Sequence, residues 1–587
     1  MMGNLSRSLF AALAGLAAGL AAFGLMAWAR AALQVRTLPE RVMDALLLLI
    51  PPAQFEVAIE RFGPAAKEYA LDGTTIAMVA LLGLIGWAAL RWLRRPAAFL
   101  ALGLGLWLLT AVAIMPLTGA GFFGIGLFQS PLLTNSVYLG IGLAYGSLLL
   151  AARLSFAIVL RWSTTPDDAW PERRALLAGA AGTLVAFGAT VWFGRTAGQI
   201  ASSLPLASVP AAPSPSARAA SAAAPQAAPA PASASLSASP VARSANAAAS
   251  IAPSPAPTYP VPPPEQPLAR DKDGALLAVN RPKGQRQPAV TANNDFYTVT
   301  KNAGGDPRLE AQDWRLIVDG AVNQPVQVDY LTLVKLPAIT IYKTLECISN
   351  LTAKCELTSF GCDLISTAQW KGARLKDVLA LAGGAKPGAV AIAAVGADEF
   401  SSSIPASSAG DPDVLLAYEM NGVTLPREHG FPVRLLMPNR YGMKSAKWLV
   451  KLKVMTVPFV DWYGQRNWNQ EGIVRTMARI DVPANGSTIQ AEKSQIAGIA
   501  YAGGRGIAKV ESSADRGRTW RQATLEPALG KDTFVRWEST FAPAAGQTTT
   551  LICRATDGTG QLQPNQFSLP QPNGGSGWHS IDVRASG

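Results

Sequence analysis

Between Pro96 and Ala152 the chain runs for 57 consecutive residues without an Asp, Glu, Lys or Arg. No soluble domain of ordinary composition spares charge for so long. Crossing the hydrocarbon of a bilayer takes about twenty apolar residues, so the run holds two crossings, separated by the Gly-, Pro- and Asn-bearing stretch Leu117–Asn135. Ser8–Ala29, set between Arg7 and Arg30, adds one; Gly73–Leu90 adds another; Ala175–Gly194, closed by Arg174 and Arg195, makes a fifth. The first stretch is too long, and followed by too many others, to read as a cleaved signal peptide. Residues 1–200 are therefore expected to form an all-α transmembrane anchor of about five helices.

Positive residues mark cytoplasmic ends. Arg7, Arg91, Arg94, Arg95, Arg153, Arg161, Arg173 and Arg174 fall on one side, which places the N-terminus inside and everything after Gly194 outside. Arg30, Arg36, Arg41, Arg61 and Lys67, in the first long loop, run against that bias. The net charge is +12, but many of the Lys and Arg sit beside apolar spans, where positive residues mark cytoplasmic ends, so nucleic-acid binding is not expected. The only histidines are His429 and His579, neither in a span. A haem held by two membrane histidines is thereby excluded, and no haem is expected in this chain. The anchor reads as a plain anchor or a partner-docking module.

From Ser203 to Gln266 the chain is almost wholly Ala, Pro and Ser, a composition that cannot offset the entropy of ordering and predicts a disordered tether over 201–266. A mixed α/β domain is predicted over 267–457. DWRLIVDG (Asp313–Gly320) reads as a strand, WKGARLKDVLALAGG (Trp370–Gly384) as a helix closed by glycines, and FPVRLLMP (Phe431–Pro438) as a buried strand. Over 458–587, alternating segments such as GIAYAGG, IAKVESS, TFVRWESTF and TTTLICRATDG, divided by turn residues, predict a β-sandwich. Trp520, Trp537, Trp578 and Cys553 read as core or packing residues.

TLECISN around Cys347, LISTAQWKGARLKDVL, LLAYEMNG, REHGFPVRLLMPNRYG and MKSAKWL follow one another in order, between NNDFY at Asn293 and GWHSIDV near the end. These segments, about 300 residues in all, resemble the sulfite oxidase family of molybdopterin enzymes, above all its membrane-attached bacterial members. NNDFY is also similar to the periplasmic methionine sulfoxide reductase catalytic subunit. The resemblance implies a molybdenum–molybdopterin cofactor with Cys347 as the protein's metal ligand, a soft thiolate suited to a metal that changes oxidation state. It implies that His429, Arg434, Ser445 and Lys447 hold the anionic end of the pterin, and that Asn294, Tyr297 and Thr298 contact it near the metal. It further implies an immunoglobulin-like C-terminal domain that can form a homodimer, a separate cytochrome or quinone-linked electron carrier, and a bacterial inner-membrane location with the catalytic domain on the periplasmic side.

The sequence departs from the family where sulfite would bind. Ser349, Asn350, Leu351 and Thr352 stand where an arginine pair is expected, Thr298–Lys301 replaces an arginine, and Phe400 replaces a tyrosine near the metal and cannot donate a hydrogen bond. Oxygen-atom transfer on a less charged substrate, of sulfoxide type, is the first expectation, with Lys301, Arg440, Tyr441 and Lys444 supplying charge in the pocket beside Phe400. Sulfite oxidation is the alternative, and a non-catalytic binding or sensor protein keeping the fold is the second. Cys355 and Cys362 either pair as a disulfide or are unrelated cysteines; with no histidine nearby in sequence, a second metal site is not expected.

Overall fold

The computed structural model describes residues 2–46, 66–125, 127, 131–162, 258–264, 281–302, 305–357, 361–491 and 493–586. Among the described residues four helical stretches are long and apolar enough to cross a membrane: Arg7–Leu33, Tyr69–Trp92, Pro96–Leu117 and Pro131–Ala157. They belong to α1 (Met2–Leu33), α3 (Ala66–Trp92), α4 (Pro96–Leu109, continued to Leu117) and α5 (Pro131–Trp162), with the short α2 (Leu38–Leu46) between the first two. Small residues let the helices touch. A Cβ at Gly15 would strike the carbonyl of Gly83, and one at Gly103 the carbonyl of Gly142, so α1 packs on α3 and α4 on α5 at backbone contact. The expected fifth span, Ala175–Gly194, lies outside the described residues, as does the Ala/Pro/Ser stretch up to Pro257.

The region that follows is built on two sheets. One has the order β2-β1-β10-β5-β6, from β1 (Arg315–Gly320), β2 (Val326–Asp329), β5 (Ala391–Gly396), β6 (Ser401–Pro405) and β10 (Leu449–Met455). The other runs β3-β4-β7-β8, from β3 (Ala338–Glu346), β4 (Ile365–Arg374), β7 (Leu415–Met420) and β8 (Val423–Thr424), with β9 (Arg434–Leu436) added on β7. DWRLIVDG is strand from Arg315, as its alternation requires: Leu316 and Val318 point into the core. FPVRLLMP is strand only over Arg434–Leu436.

The helix expected over Trp370–Gly384 is corrected. Trp370–Arg374 is the end of β4, paired with β3 on one side and β7 on the other, and the helix occupies only Leu375–Leu381. Pairing on both edges outweighs the helical pattern. Gly372 shows why: any Cβ there would strike the carbonyl of Leu416 on β7.

Two further sheets share the C-terminal core. One has the order β11-β13-β17-β16, from β11 (Met477–Val482), β13 (Ser494–Tyr501), β16 (Thr524–Leu525) and β17 (Val535–Phe541); the other runs β12-β19-β18-β14-β15, from β12 (Thr488–Ile489), β14 (Ile507–Ser513), β15 (Arg521–Gln522), β18 (Thr548–Asp557) and β19 (Ser580–Ala585). Trp537 and Cys553 are fully buried there, while Trp520 and Trp578 meet edge to face at 5.1 Å. A separate cluster joins this region to the preceding one: Ile348 and Ile365 pack with Met477, Ile499, Tyr501 and Phe534. Ile348 adjoins Cys347, so the C-terminal sheets buttress the cysteine segment from behind.

Candidate active site

Cys347 is the first residue past β3, whose register with β4 ends at the Glu346–Ile365 pair. Its N–H donates to the carbonyl of Leu364 (2.9 Å), and its own carbonyl accepts from Asn350 N–H (3.0 Å). The Asn350 side chain closes the turn, accepting from Leu364 N–H and donating to Glu346, both at 3.0 Å. Burial pushes the Glu346 carboxyl up to about 8, so Glu346 is a neutral member of this network at pH 7. The thiol-bearing residue is 5% exposed and fixed by its own main chain.

A cavity of about 790 Å³, open mouth included, lies in front of it. Cys347, Tyr297, Thr298, Phe400, His429, Arg434, Ser445 and Lys447 all line it, and so does Lys301. Phe296 props this wall, its ring meeting those of Tyr297, Trp370 and His429 at 5.4–5.7 Å. His429 Nε2 lies 2.8 Å from the carbonyl of Asn293, and burial, with Arg434 and Lys447 nearby, brings the imidazole down to about 3, hence neutral. The Arg434 guanidinium donates to the carbonyls of His429 (3.0 Å) and Ser445 (3.2 Å), and burial lowers it to about 10. Lys447 Nζ donates to the Glu428 carbonyl (2.9 Å) and is likewise lowered by burial. These two cations are held by main-chain oxygens.

Four other expected residues stay away from the cavity. Asn294 is exposed on the turn before Phe296. Arg440 donates to the carbonyl of Glu471, and Lys444 is fully buried in an ion pair with Asp461. The reason for the last is local. Asp461 also accepts from Ser403 N–H and Gly464 N–H, so it anchors a loop that needs the lysine as its counter-charge. Tyr441 is buried as well, accepting from Arg475 N–H.

Sequence reasoning missed Asp398, Met443, Trp462 and Tyr463, which also line the cavity. Trp462 and Tyr463 fall in the stretch expected to form the β-sandwich; no motif marks them, and the fold brings them beside Phe400, at ring distances of 5.9 and 6.0 Å. Arg466 stacks over Trp462 at 3.6 Å, adding charge behind that wall.

Cys355 and Cys362 are joined as a disulfide. The expectation that no histidine lies near them is corrected: the chain end folds back so that His579 brings a ring nitrogen within 4.8 Å of both sulfurs. His579 Nδ1 accepts from Ile480 N–H, which leaves the proton on Nε2. With the sulfurs bonded to each other, these groups form a packed redox-closed cluster and offer no ligand set.

Residues 303–463 match the model of the oxidoreductase molybdopterin binding domain, and 473–584 that of the Mo-co oxidoreductase dimerisation domain. The fold and site thus define a molybdopterin-type oxidoreductase with its associated dimerisation domain. The chain is 30% identical over 356 residues to sulfite oxidase of Gallus gallus, covering 52% of this chain and 77% of that one. With mitochondrial sulfite oxidase of Rattus norvegicus the identity is 32% over 342 residues, 50% of this chain and 61% of the relative's length. Among solved structures, the sulfane dehydrogenase SoxCD from Paracoccus pantotrophus is similar at 26% identity and a TM-score of 0.45, over 51% of this chain and 82% of that one. The chain belongs to the sulfite oxidase family of molybdopterin-dependent oxidoreductases.

Proposed function

We propose that the protein is a membrane-anchored molybdenum enzyme that oxidises a small sulfur oxyanion of sulfite type, passing electrons to a separate cytochrome or quinone-linked carrier. One observation carries the reading. The Cys347 thiol and three basic side chains, buried Lys301 and Arg434 and half-buried Lys447, face one cavity.

The residues fit a phosphate-bearing pterin. Thr298 Oγ1, Lys301 Nζ and Arg434 Nε are buried and lack hydrogen-bond partners among the described residues, a costly arrangement unless a ligand supplies acceptors. Arg434, Lys447, Ser445 and neutral His429 would hold the anionic end, and Cys347 would ligate the metal. When bound, the group supplies the two-electron oxygen-atom chemistry that side chains lack.

What the chain itself contributes is binding and electrostatics. Lys301 offers an ammonium to a substrate anion, and Tyr463, on the same wall as Phe400, offers the phenol that Phe400 lacks. Phe400, Trp462 and Trp448 keep the cavity's flank apolar, which strengthens every charge interaction inside it. The net reaction takes sulfite and water to sulfate, two protons and two electrons.

The sulfite oxidase relatives favour sulfite over the sulfoxide first expected. The sulfoxide reading keeps one specific support, the phenyl ring of Phe400. Sulfite-dependent reduction of ferricyanide by the purified protein, set against reductant-driven reduction of methionine sulfoxide, decides between them. Activity with neither, in protein lacking pterin, would leave a binding protein.

The four helices, the catalytic region 267–457 and the region 458–587, read as immunoglobulin-like and dimer-forming, complete the proposal. The geometry also supports the fifth span. α5 begins beside Arg36, where Tyr138 donates to its carbonyl (2.7 Å), and its far part meets the turn after α3, where Arg153 donates to Leu93. It therefore ends on the face opposite the catalytic region, whereas Tyr259 packs against that region's core. The fifth span expected from sequence at Ala175–Gly194 would return the chain to the extracytoplasmic side.

A further inference from the structure

The last turn of α1 and the stretch through α2 carry Arg30, Arg36 and Arg41, among the charges that ran against the topology rule. All three are engaged. Thr37 and Glu40 form a reciprocal cap at the start of α2, with Thr37 N–H to Glu40 at 2.7 Å and Glu40 N–H to Thr37 Oγ1 at 3.3 Å. That cap fixes α2 so that Arg41, 1% exposed, grips both oxygens of Glu399 at 3.0 and 2.8 Å. Arg36 bridges Asp44 (2.7 Å) and Glu399 (3.4 Å). On the flanks, Arg30 donates to the carbonyl of Gly305 (2.6 Å), Gln34 accepts from Arg308 N–H (3.3 Å), and Arg466 donates to the carbonyl of Asp44 (3.3 Å).

Glu399 sits at the tip of the β5–β6 hairpin with a φ of 65°, a left-handed conformation that a non-glycine residue adopts only when its surroundings impose it. Three successive residues of that turn divide between two sides. Asp398 lines the cavity and accepts from Asn302 (3.2 Å), Glu399 meets the anchor, and Phe400 lines the cavity. Lys301 Nζ lies 4.0 Å from Asp398 and 3.9 Å from Asp44 of the anchor loop. Burial lowers the ammonium and Arg36 lowers it further, while Asp398 and Asp44 pull it back towards the charged form.

We propose that the anchor loop Arg30–Asp44 is a clamp that docks the catalytic region on the membrane helices and completes the active site, Arg36 and Arg41 holding the Asp398–Phe400 turn and Asp44 positioning Lys301. The role given to Asp44 rests on the reading of Lys301 as the substrate cation; the clamp itself does not. Buried, bidentate guanidinium–carboxylate pairing is costly to break from one side only, which makes the contact a defined docking site rather than a loose encounter. The membrane module is then a positioning element for the chemistry.

The test uses the full chain in native membranes with a protease site inserted near residue 230. After complete cleavage the catalytic half of the unaltered protein should stay with the membranes, and Arg36→Ala with Arg41→Ala should release at least roughly tenfold more of it. The exchange Arg41→Glu with Glu399→Arg should restore retention, which separates a lost contact from a misfolded loop. Equal release with and without the arginines overturns the clamp. For Asp44, the isosteric Asp44→Asn should raise the sulfite KM roughly three- to tenfold with kcat little changed. In a Lys301→Met background it should do nothing further. An equal KM effect in both backgrounds overturns the positioning role. If Lys301→Met alone leaves the sulfite KM unchanged, the substrate reading of Lys301 and the role of Asp44 fall together, and the clamp is judged by retention alone.

Discussion

Arg434→Met should separate the cost of the empty site from the gain on filling it. The guanidinium is 5% exposed, and its two donations go to main-chain carbonyls. Burial brings it from 12.5 to about 10, and at about 1.4 kcal/mol per tenfold step, keeping that charge without an anion costs the cofactor-free protein about 3 kcal/mol. Methionine removes the charge and fills much of the space but leaves two carbonyls without their donor, at about 1 kcal/mol each. The cofactor-free protein should therefore change little, gaining about 1 kcal/mol. The loaded protein should lose the charge-assisted bonds to the anion, about 2–5 kcal/mol of affinity, or a thirtyfold or greater drop in retained pterin. Thermal unfolding of the full chain from cofactor-deficient and cofactor-competent hosts, with pterin content alongside, reads both. A variant that unfolds some 10 °C earlier without cofactor, yet loads normally, would show that Arg434 is a structural residue and refute the reasoning.

Acid should weaken the fold through His579, which burial brings from 6.5 down to about 4. As pH falls from 6.5 the unfolded chain takes up the proton first, so stability is full above 6.5 and declines by about 3 kcal/mol towards pH 4; urea midpoints across that window should fall less steeply for His579→Gln. A parallel pH dependence in the variant would count against it. Replacing Cys355 and Cys362 by Ser reopens a loop of seven-residue separation and should cost about 2–3 kcal/mol by chain entropy, measured as the change in urea midpoint under oxidising conditions. Because Leu351 N–H bonds Gly361 across that loop, metal content should fall with it; unchanged stability and metal content would leave the disulfide without a structural role.

The parts of this molecule legible in its sequence are those set by local pattern. An uncharged run spells a span, and strand alternation spells β1, because hydrophobic periodicity is local. TLECISN places Cys347 because the main-chain bonds that fix it to Leu364 and Asn350 join residues close in sequence. Pairings between distant residues were not legible. Lys444 and Arg440 carry charge at promising positions in the sequence, yet Asp461 and the Glu471 carbonyl turn them away from the cavity. Trp370–Arg374 carries a helical pattern but is claimed by strands on both edges. Arg36 and Arg41 looked like misplaced topology signals because their partner, Glu399, lies 358 residues beyond Arg41. His579 reaches the disulfide only through the last strand's return. In each case a counter-charge or neighbour supplied by the fold decided the outcome.

The central claim is that Cys347 holds a molybdenum–pterin group in this cavity, and metal and pterin analysis of the full-length protein from a cofactor-competent host tests it most directly, beside Cys347→Ser. Near-stoichiometric molybdenum and pterin in the unaltered protein, with an altered metal-centre absorption spectrum in the variant, is the predicted result. Well-folded protein that carries neither metal nor pterin, or a variant whose metal centre is spectroscopically identical to the original, would contradict it.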